Sequence, residues 1–151
     1  MEIRLGGLDH PQVLALLHAH LAGMFENSPP EGVYALDLDG LKTPDISFFT
    51  AWDDAELMGM GALKELDKRS GEIKSMRTRP EHLRKGVAAA LLEHIVGVAT
   101  DRGYTRLSLE TGSGPAFEPA LALYRRRGFK NGEPFGGYTP SAFNQFLHLD
   151  L

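Results

Sequence analysis

The 151-residue chain contains no cysteine, which excludes disulfides, thiolate nucleophiles and zinc–thiolate sites together. It has no run of about 18 apolar residues, and its opening MEIRLGGLDH has no apolar core of the kind an export signal carries. Neither a membrane span nor export is therefore expected, and the cytoplasm is the expected compartment. A basic excess is missing too: the formal net charge is −4 and the pI near 5.8, so binding to nucleic acid is not expected, although local basic clusters can still take a small anion. The six histidines fall in no metal-ligand spacing, and the nearest pair, His18 and His20, would point in different directions from a helix, so no metal is expected. Repeats, linkers and low-complexity tracts are absent, and the length suits one domain over 1–151.

What is present is a regular alternation of strand-like and helix-like segments. Residues 2–5 read as a strand, and Asp9 with Gln12 forms a candidate capping box for a helix over 10–26. The expected inward stripe of that helix is Leu14, Leu17, Leu21, Met24 and Phe25, and Ser28-Pro29-Pro30 ends it. A second, short helix is placed within 30–41. Strands are expected at 46–52, 56–64 and 71–78, joined by tight turns as an antiparallel meander. Ala88, Leu91, Leu92, Ile95 and Ala99 mark a helix that runs from Lys85 to a C-terminal glycine at Gly103, crossing over to a strand at 107–110. Another helix at 118–127 stops at Gly128, and the tail to Leu151 reads as two strands with a loop. The expected fold class is α/β (α+β): a mixed sheet, antiparallel at the front and parallel at the centre.

The most informative stretch is EIKSMRTRPEHLRKGVAAALLEHI, residues 72–95. It is a strand, a proline stop, a basic loop with a glycine, and a helix that begins with small residues. At such a helix start the first N–H groups lack partners and the dipole favours an anion, while Gly86 and the small Ala88 and Ala89 allow a pyrophosphate to approach. Arg84 and Lys85 add formal charge. A glycine that merely turns a corner accounts for the same stretch taken alone.

Here the chain resembles the GCN5-related N-acetyltransferase (GNAT) superfamily, with a likeness to an uncharacterised bacterial subfamily. The superfamily signature Gln/Arg-x-x-Gly-x-Gly/Ala corresponds to Leu83-Arg84-Lys85-Gly86-Val87-Ala88, which departs at Leu83 and so lacks one usual side chain near the pyrophosphate. A second element, Ala-x-x-Leu-Tyr-x-x-x-Gly-Phe, is similar to the stretch closing in Leu123-Tyr124 and Gly128-Phe129, and Arg106 to Glu110 resembles the fifth strand.

The resemblance implies a mixed sheet of about seven strands with about four helices, splayed between the strands at 71–78 and 106–110. It implies acetyl-CoA as co-substrate, its pantetheine paired with backbone groups of Met76, Arg77 and Thr78 and its pyrophosphate held by Arg84, Lys85, Gly86, Val87, Ala88 and Ala89. It implies that Tyr124 is the general acid that protonates the departing thiolate, a role its phenol suits; a core tyrosine is the structural alternative. Two carboxylates are candidates for the base, Glu72 and Glu110, and either also fits an ordinary salt bridge, Glu72 with Lys74 or Lys64 and Glu110 with Arg106. His82 and the Arg125-Arg126-Arg127 run are read as solvated surface.

The expected function is thus transfer of an acetyl group from acetyl-CoA to a primary amine, of a small molecule, by direct attack. A non-catalytic acyl-CoA-binding module and a protein or peptide N-acetyltransferase are the alternatives, and a homodimer is left open. Arg77 is a candidate to hold a carboxylate on the acceptor, to pair with Glu110 or to reach the cofactor. Strict strand alternation puts it on the face opposite Glu72 unless a bulge shifts the phase.

Overall fold

A computed structural model describes all of residues 1–151. Seven strands form one sheet in the order β1-β2-β3-β4-β5-β7-β6. The strands are β1 (Glu2–Leu5), β2 (Ile46–Asp53), β3 (Glu56–Asp67), β4 (Ser70–Thr78), β5 (Arg106–Thr111), β6 (Lys130–Asn131) and β7 (Gln145–Asp150). Four helices accompany them: α1 (Pro11–Asn27), the single turn α2 (Leu38–Leu41), α3 (Val87–Asp101) and α4 (Glu118–Arg127). Every neighbouring pair is antiparallel except β4 and β5, which run parallel because α3 carries the chain back across the sheet between them.

The two faces of the sheet bury separate cores. On one, α3 places Val87, Leu91, Leu92 and Ile95 against Phe49, Leu63, Ile73, Leu107 and Leu109, with Leu121 and Tyr124 of α4 completing the cluster. Truncating a fully buried leucine there, such as Leu91, is worth about 2–5 kcal/mol. On the other face, Val13, Leu16 and Leu17 of α1 cover Phe48, Trp52, Met60 and Ala62.

The start and face of α1 differ from the sequence reading. His10, not Asp9, caps the helix, its side chain accepting from Gln12 N–H, because Pro11 takes the first helical position. Gln12 turns outward to bind Ala55 and Leu57 instead of completing a capping box. Leu14 and Phe25 are exposed, and the buried stripe is Val13, Leu16, Leu17 and His20. The segment 30–41 holds a 3-10 turn at Pro30–Gly32 and then α2, capped by the Asp37 carboxylate on Gly40 N–H at 2.8 Å.

Candidate active site

Two local irregularities create the site. The first is the loop between β4 and α3. Arg84 and Gly86 both adopt left-handed conformations, with φ of 63° and 81°, and together they swing the chain into the helix. No side chain caps α3, so the N–H groups of Val87, Ala88 and Ala89 face outward without an intrahelical partner; Ala90 is the first to bond back, to Gly86 O at 3.0 Å. A Cβ at Gly86 would meet nothing within 4 Å, so the approach to these groups is open, and Arg84 and Lys85 are exposed beside it. Leu83 is exposed as well. The arrangement suits a pyrophosphate: backbone donors, helix dipole and cations converge on one clear space.

The second irregularity is in β4. Its pairing with β3 skips a residue between Ala62↔Lys74 and Met60↔Arg77, and Ser75 there has a φ of 56°. This is a β-bulge, and it resets the phase of the strand. Opposite it lies Gly61, where a Cβ would fall 2.5 Å from the Met76 sulfur; only glycine lets Met76 lie across β3 toward Ile95. As a result Glu72, Lys74 and Arg77 all share the α1 face, and Met76 goes to the α3 face.

Past Glu72, ahead of the bulge, β4 leaves β5. The two strands pair only at Ser70↔Arg106, Gly71↔Leu107 and Glu72↔Ser108, so the edge of β4 from Met76 to Thr78 is unpaired on the β5 side. A cavity of about 180 Å³ occupies this gap and continues through the sheet. It is lined by Met76, Arg77, Glu110 and Tyr124, with α1 contributing its wall at His20 and Gly23.

The two carboxylates expected as bases are in different states. Glu72 is 3% exposed and paired: Lys74 Nζ lies 3.3 Å from its Oε2, and the Tyr138 hydroxyl donates to the same oxygen. Lys74 also donates to the Tyr138 oxygen at 2.6 Å, and burial followed by the Glu72 charge raises the Tyr138 pKa, so this phenol keeps its proton. Glu110 is half-buried and makes no ion pair; Arg106 pairs with Glu133 and Asp150 instead. Burial pushes the Glu110 pKa up to about 7, the nearby Glu72 charge adding to the effect and Lys74 opposing it. Glu72 and Glu110 share a sheet face, since Glu72 is level with Ser108, two residues before Glu110.

Tyr124 is 6% exposed and packs edge-on against Phe129 at 5.7 Å. It is at once a core tyrosine and a cavity residue, and burial raises its pKa, so the phenol holds its proton. Its hydroxyl takes no part in the intrachain hydrogen bonds of the site.

The sequence reading thus brought together Glu72, Glu110, Tyr124, Met76 and Arg77 around one cavity, with the loop residues at its phosphate end. Three expectations are corrected. Glu110 is not salt-bridged to Arg106. Arg77 does not pair with Glu110: the bulge sets the two on one face of the sheet, but β4 has already parted from β5 there, and the guanidinium lies against Gly23 of α1. His82 is not solvated but 4% exposed, its Nε2 3.0 Å from Glu56 Oε2 without hydrogen-bond alignment, since the 3-10 turn at Pro80–His82 folds it against β3. Sequence reasoning missed Tyr138 and His20; Lys74 it named as a salt-bridge partner of Glu72, and the two are paired. For the bulge a signal did exist: two glycines, Gly59 and Gly61, inside one strand.

Comparison with known proteins places this geometry. The profile of the acetyltransferase (GNAT) family matches residues 13–129. YsnE of Bacillus subtilis, an uncharacterized N-acetyltransferase, is 54% identical over 151 residues, covering 100% of both chains. YedL of Escherichia coli K12, also an uncharacterized N-acetyltransferase, is 46% identical over 149 residues, covering 99% of this chain and 94% of its own. Among solved structures, a GNAT family acetyltransferase from Elizabethkingia anophelis with acetyl-CoA bound has the same fold, with a TM-score of 0.72 at 18% identity over 99% of this chain and 97% of that one. The chain belongs to the GNAT family of acetyltransferases and is an acetyl-CoA-dependent acyltransferase.

Proposed function

We propose that the chain, working as one domain over 1–151 in the cytoplasm, moves the acetyl group of acetyl-CoA to the primary amine of a small molecule by direct attack. The observation that carries this reading is one cavity in the β4–β5 splay, lined by a half-buried carboxylate and a neutral phenol.

The pyrophosphate sits at the free N–H groups of Val87, Ala88 and Ala89, with Arg84 and Lys85 beside it and Gly86 giving clearance. The pantetheine runs along the unpaired β4 edge at Met76, Arg77 and Thr78. The acceptor enters from the α1 side. Its ammonium must lose a proton before attack, and Glu110, with a pKa near the working pH, is the group that takes it. The amine nitrogen then bonds to the thioester carbonyl carbon, while a backbone N–H at Met76 stabilises the charge on oxygen. The carbon–sulfur bond breaks, and Tyr124 delivers its proton to the leaving thiolate. Glu72, already bound by Lys74 and Tyr138, shapes the field around Glu110 and takes no proton.

A small acceptor is favoured over a protein because α1 walls the cavity at His20 and Gly23. The test is thiol release from acetyl-CoA across a panel of amines, with acetyl-CoA thermal shift in parallel. Release with small amines supports the reading; release only with peptides contradicts it.

A further inference from the structure

Among the cations near the cavity, Arg77 alone lacks a counter-charge. Lys74 is paired with Glu72. Arg79 reaches Glu81 at 2.9 Å and also donates to Gln12 and Leu57. Arg77, between them in sequence, makes no ion pair and no side-chain hydrogen bond with the chain, although it is half-buried and lines the cavity. A guanidinium holds five donors in a planar fork, and leaving them without partners away from bulk water is costly.

Its position is built. The Ser75 bulge delivers Arg77 to the face that carries Glu72 and Lys74. There it lies against α1 at Gly23, where a Cβ would come within 3.2 Å of Nη2 and 3.3 Å of Nη1. One turn earlier on α1, His20 is 6% exposed, lines the same cavity, and has no partner for Nδ1. Burial, and after it the charge of Arg77, lowers the His20 pKa to about 4, so the ring is neutral and able to present an N–H. An unpaired planar cation and an orphaned imidazole nitrogen therefore border one space on the α1 side of the cavity.

We infer that Arg77, assisted by His20, binds a carboxylate on the acceptor, which makes the substrate class amino acids and related amino carboxylates. This rests on the acyltransferase reading above. The charges match a zwitterion: Glu72 and Lys74 cancel, Glu110 receives the ammonium, and Arg77 receives the carboxylate in bidentate fashion. A single guanidinium with one neutral donor suits a monoanion better than a phosphate dianion.

The test is steady-state kinetics, by thiol release, on amino acids, their carboxamides, the corresponding decarboxylated amines and an amine bearing a phosphate. The enzymes compared are wild type, Arg77→Ala, Arg77→Lys and Gly23→Ala. The last substitutes a helix-favouring residue and keeps the arginine, crowding its guanidinium at the cavity wall, so it guards against misfolding of the arginine variants. Expected are turnover of free acids and a KM for them raised roughly ten- to hundred-fold in Arg77→Ala. Arg77→Lys should fall between, and Gly23→Ala should raise the same KM. In every variant the acetyl-CoA thermal shift is retained. The inference is overturned if no amino carboxylate is acetylated, if carboxamides or the phosphate-bearing amine serve as well as free acids, or if Arg77→Ala raises KM equally for acid and amide. Loss of the acetyl-CoA shift in wild type would instead overturn the reading beneath it.

Discussion

Tyr138 and Glu72, 66 residues apart in sequence, form a hydrogen bond in which the phenol donates to the carboxylate, and Lys74 bridges both. Glu72 thus has one oxygen held by both a cation and a phenol, which separates its role from that of Glu110. Glu72→Gln should leave the buried Lys74 without its counter-charge and cost about 3–5 kcal/mol of stability. Its kcat should fall less than tenfold. Urea unfolding and initial rates check both; a hundredfold loss of kcat in a stably folded variant would return the base to Glu72.

At the phosphate end, Gly86→Glu should abolish stabilisation by acetyl-CoA. A ligand at about 100 times its Kd adds roughly 2.7 kcal/mol to the native state. The variant puts a carboxylate into the clear space before three unpartnered N–H groups, and adds strain at a φ of 81°. Thermal shift with and without acetyl-CoA measures it. An undiminished shift would reduce the loop to a corner.

Tyr124→Phe should lower kcat by about 10² or more with acetyl-CoA binding unchanged. Because the hydroxyl has no intrachain partner while the ring is buried, the variant should unfold within about 0.5 kcal/mol of wild type. Rapid-quench or steady-state rates, paired with denaturation, separate the two effects.

These predictions rest on features that differed in how readable they were. The phosphate loop is local: strand, proline, basic loop, glycine and helix follow one another within 72–95, so its geometry is written in consecutive residues. The Tyr124 element is similarly compact. The Ser75 bulge is a relation between two strands, visible in sequence only as Gly59 and Gly61, and strict alternation therefore misplaces Arg77. Tyr138 reaches Glu72 from a loop with positive φ at Gly136 and Gly137, a contact that no periodicity encodes. The α1 stripe differs from the expected one because packing on Phe48, Trp52, Met60 and Ala62 of the sheet selects Val13, Leu16 and Leu17, and His82 was misread because Glu56, its neighbour in space, lies on β3, far from it in sequence.

Glu110 should also appear in stability. Its carboxyl binds a proton more tightly folded than unfolded, so the folded chain holds the extra proton between about pH 4.5 and about 7. The stability given by the neutral form is complete below that window and is lost as pH rises through it. Glu110→Gln mimics the neutral form. At pH 8 it should be more stable than wild type by about 1–2 kcal/mol, allowing for solvent screening of a partly exposed group. Near pH 4 the two should unfold alike.

The most direct measurement is the pH dependence of kcat/KM for wild type, Glu110→Gln and Glu72→Gln with one acceptor. The account predicts a wild-type limb that rises through an apparent pKa near 7 as Glu110 loses its proton. In Glu110→Gln that limb should vanish, with a rate at least about a hundredfold lower at neutral pH that recovers only as alkaline pH deprotonates the amine itself. Glu72→Gln should keep the limb, shifted toward lower pH by the loss of a neighbouring negative charge. A limb near pH 7 that survives in Glu110→Gln and disappears in Glu72→Gln would contradict the account.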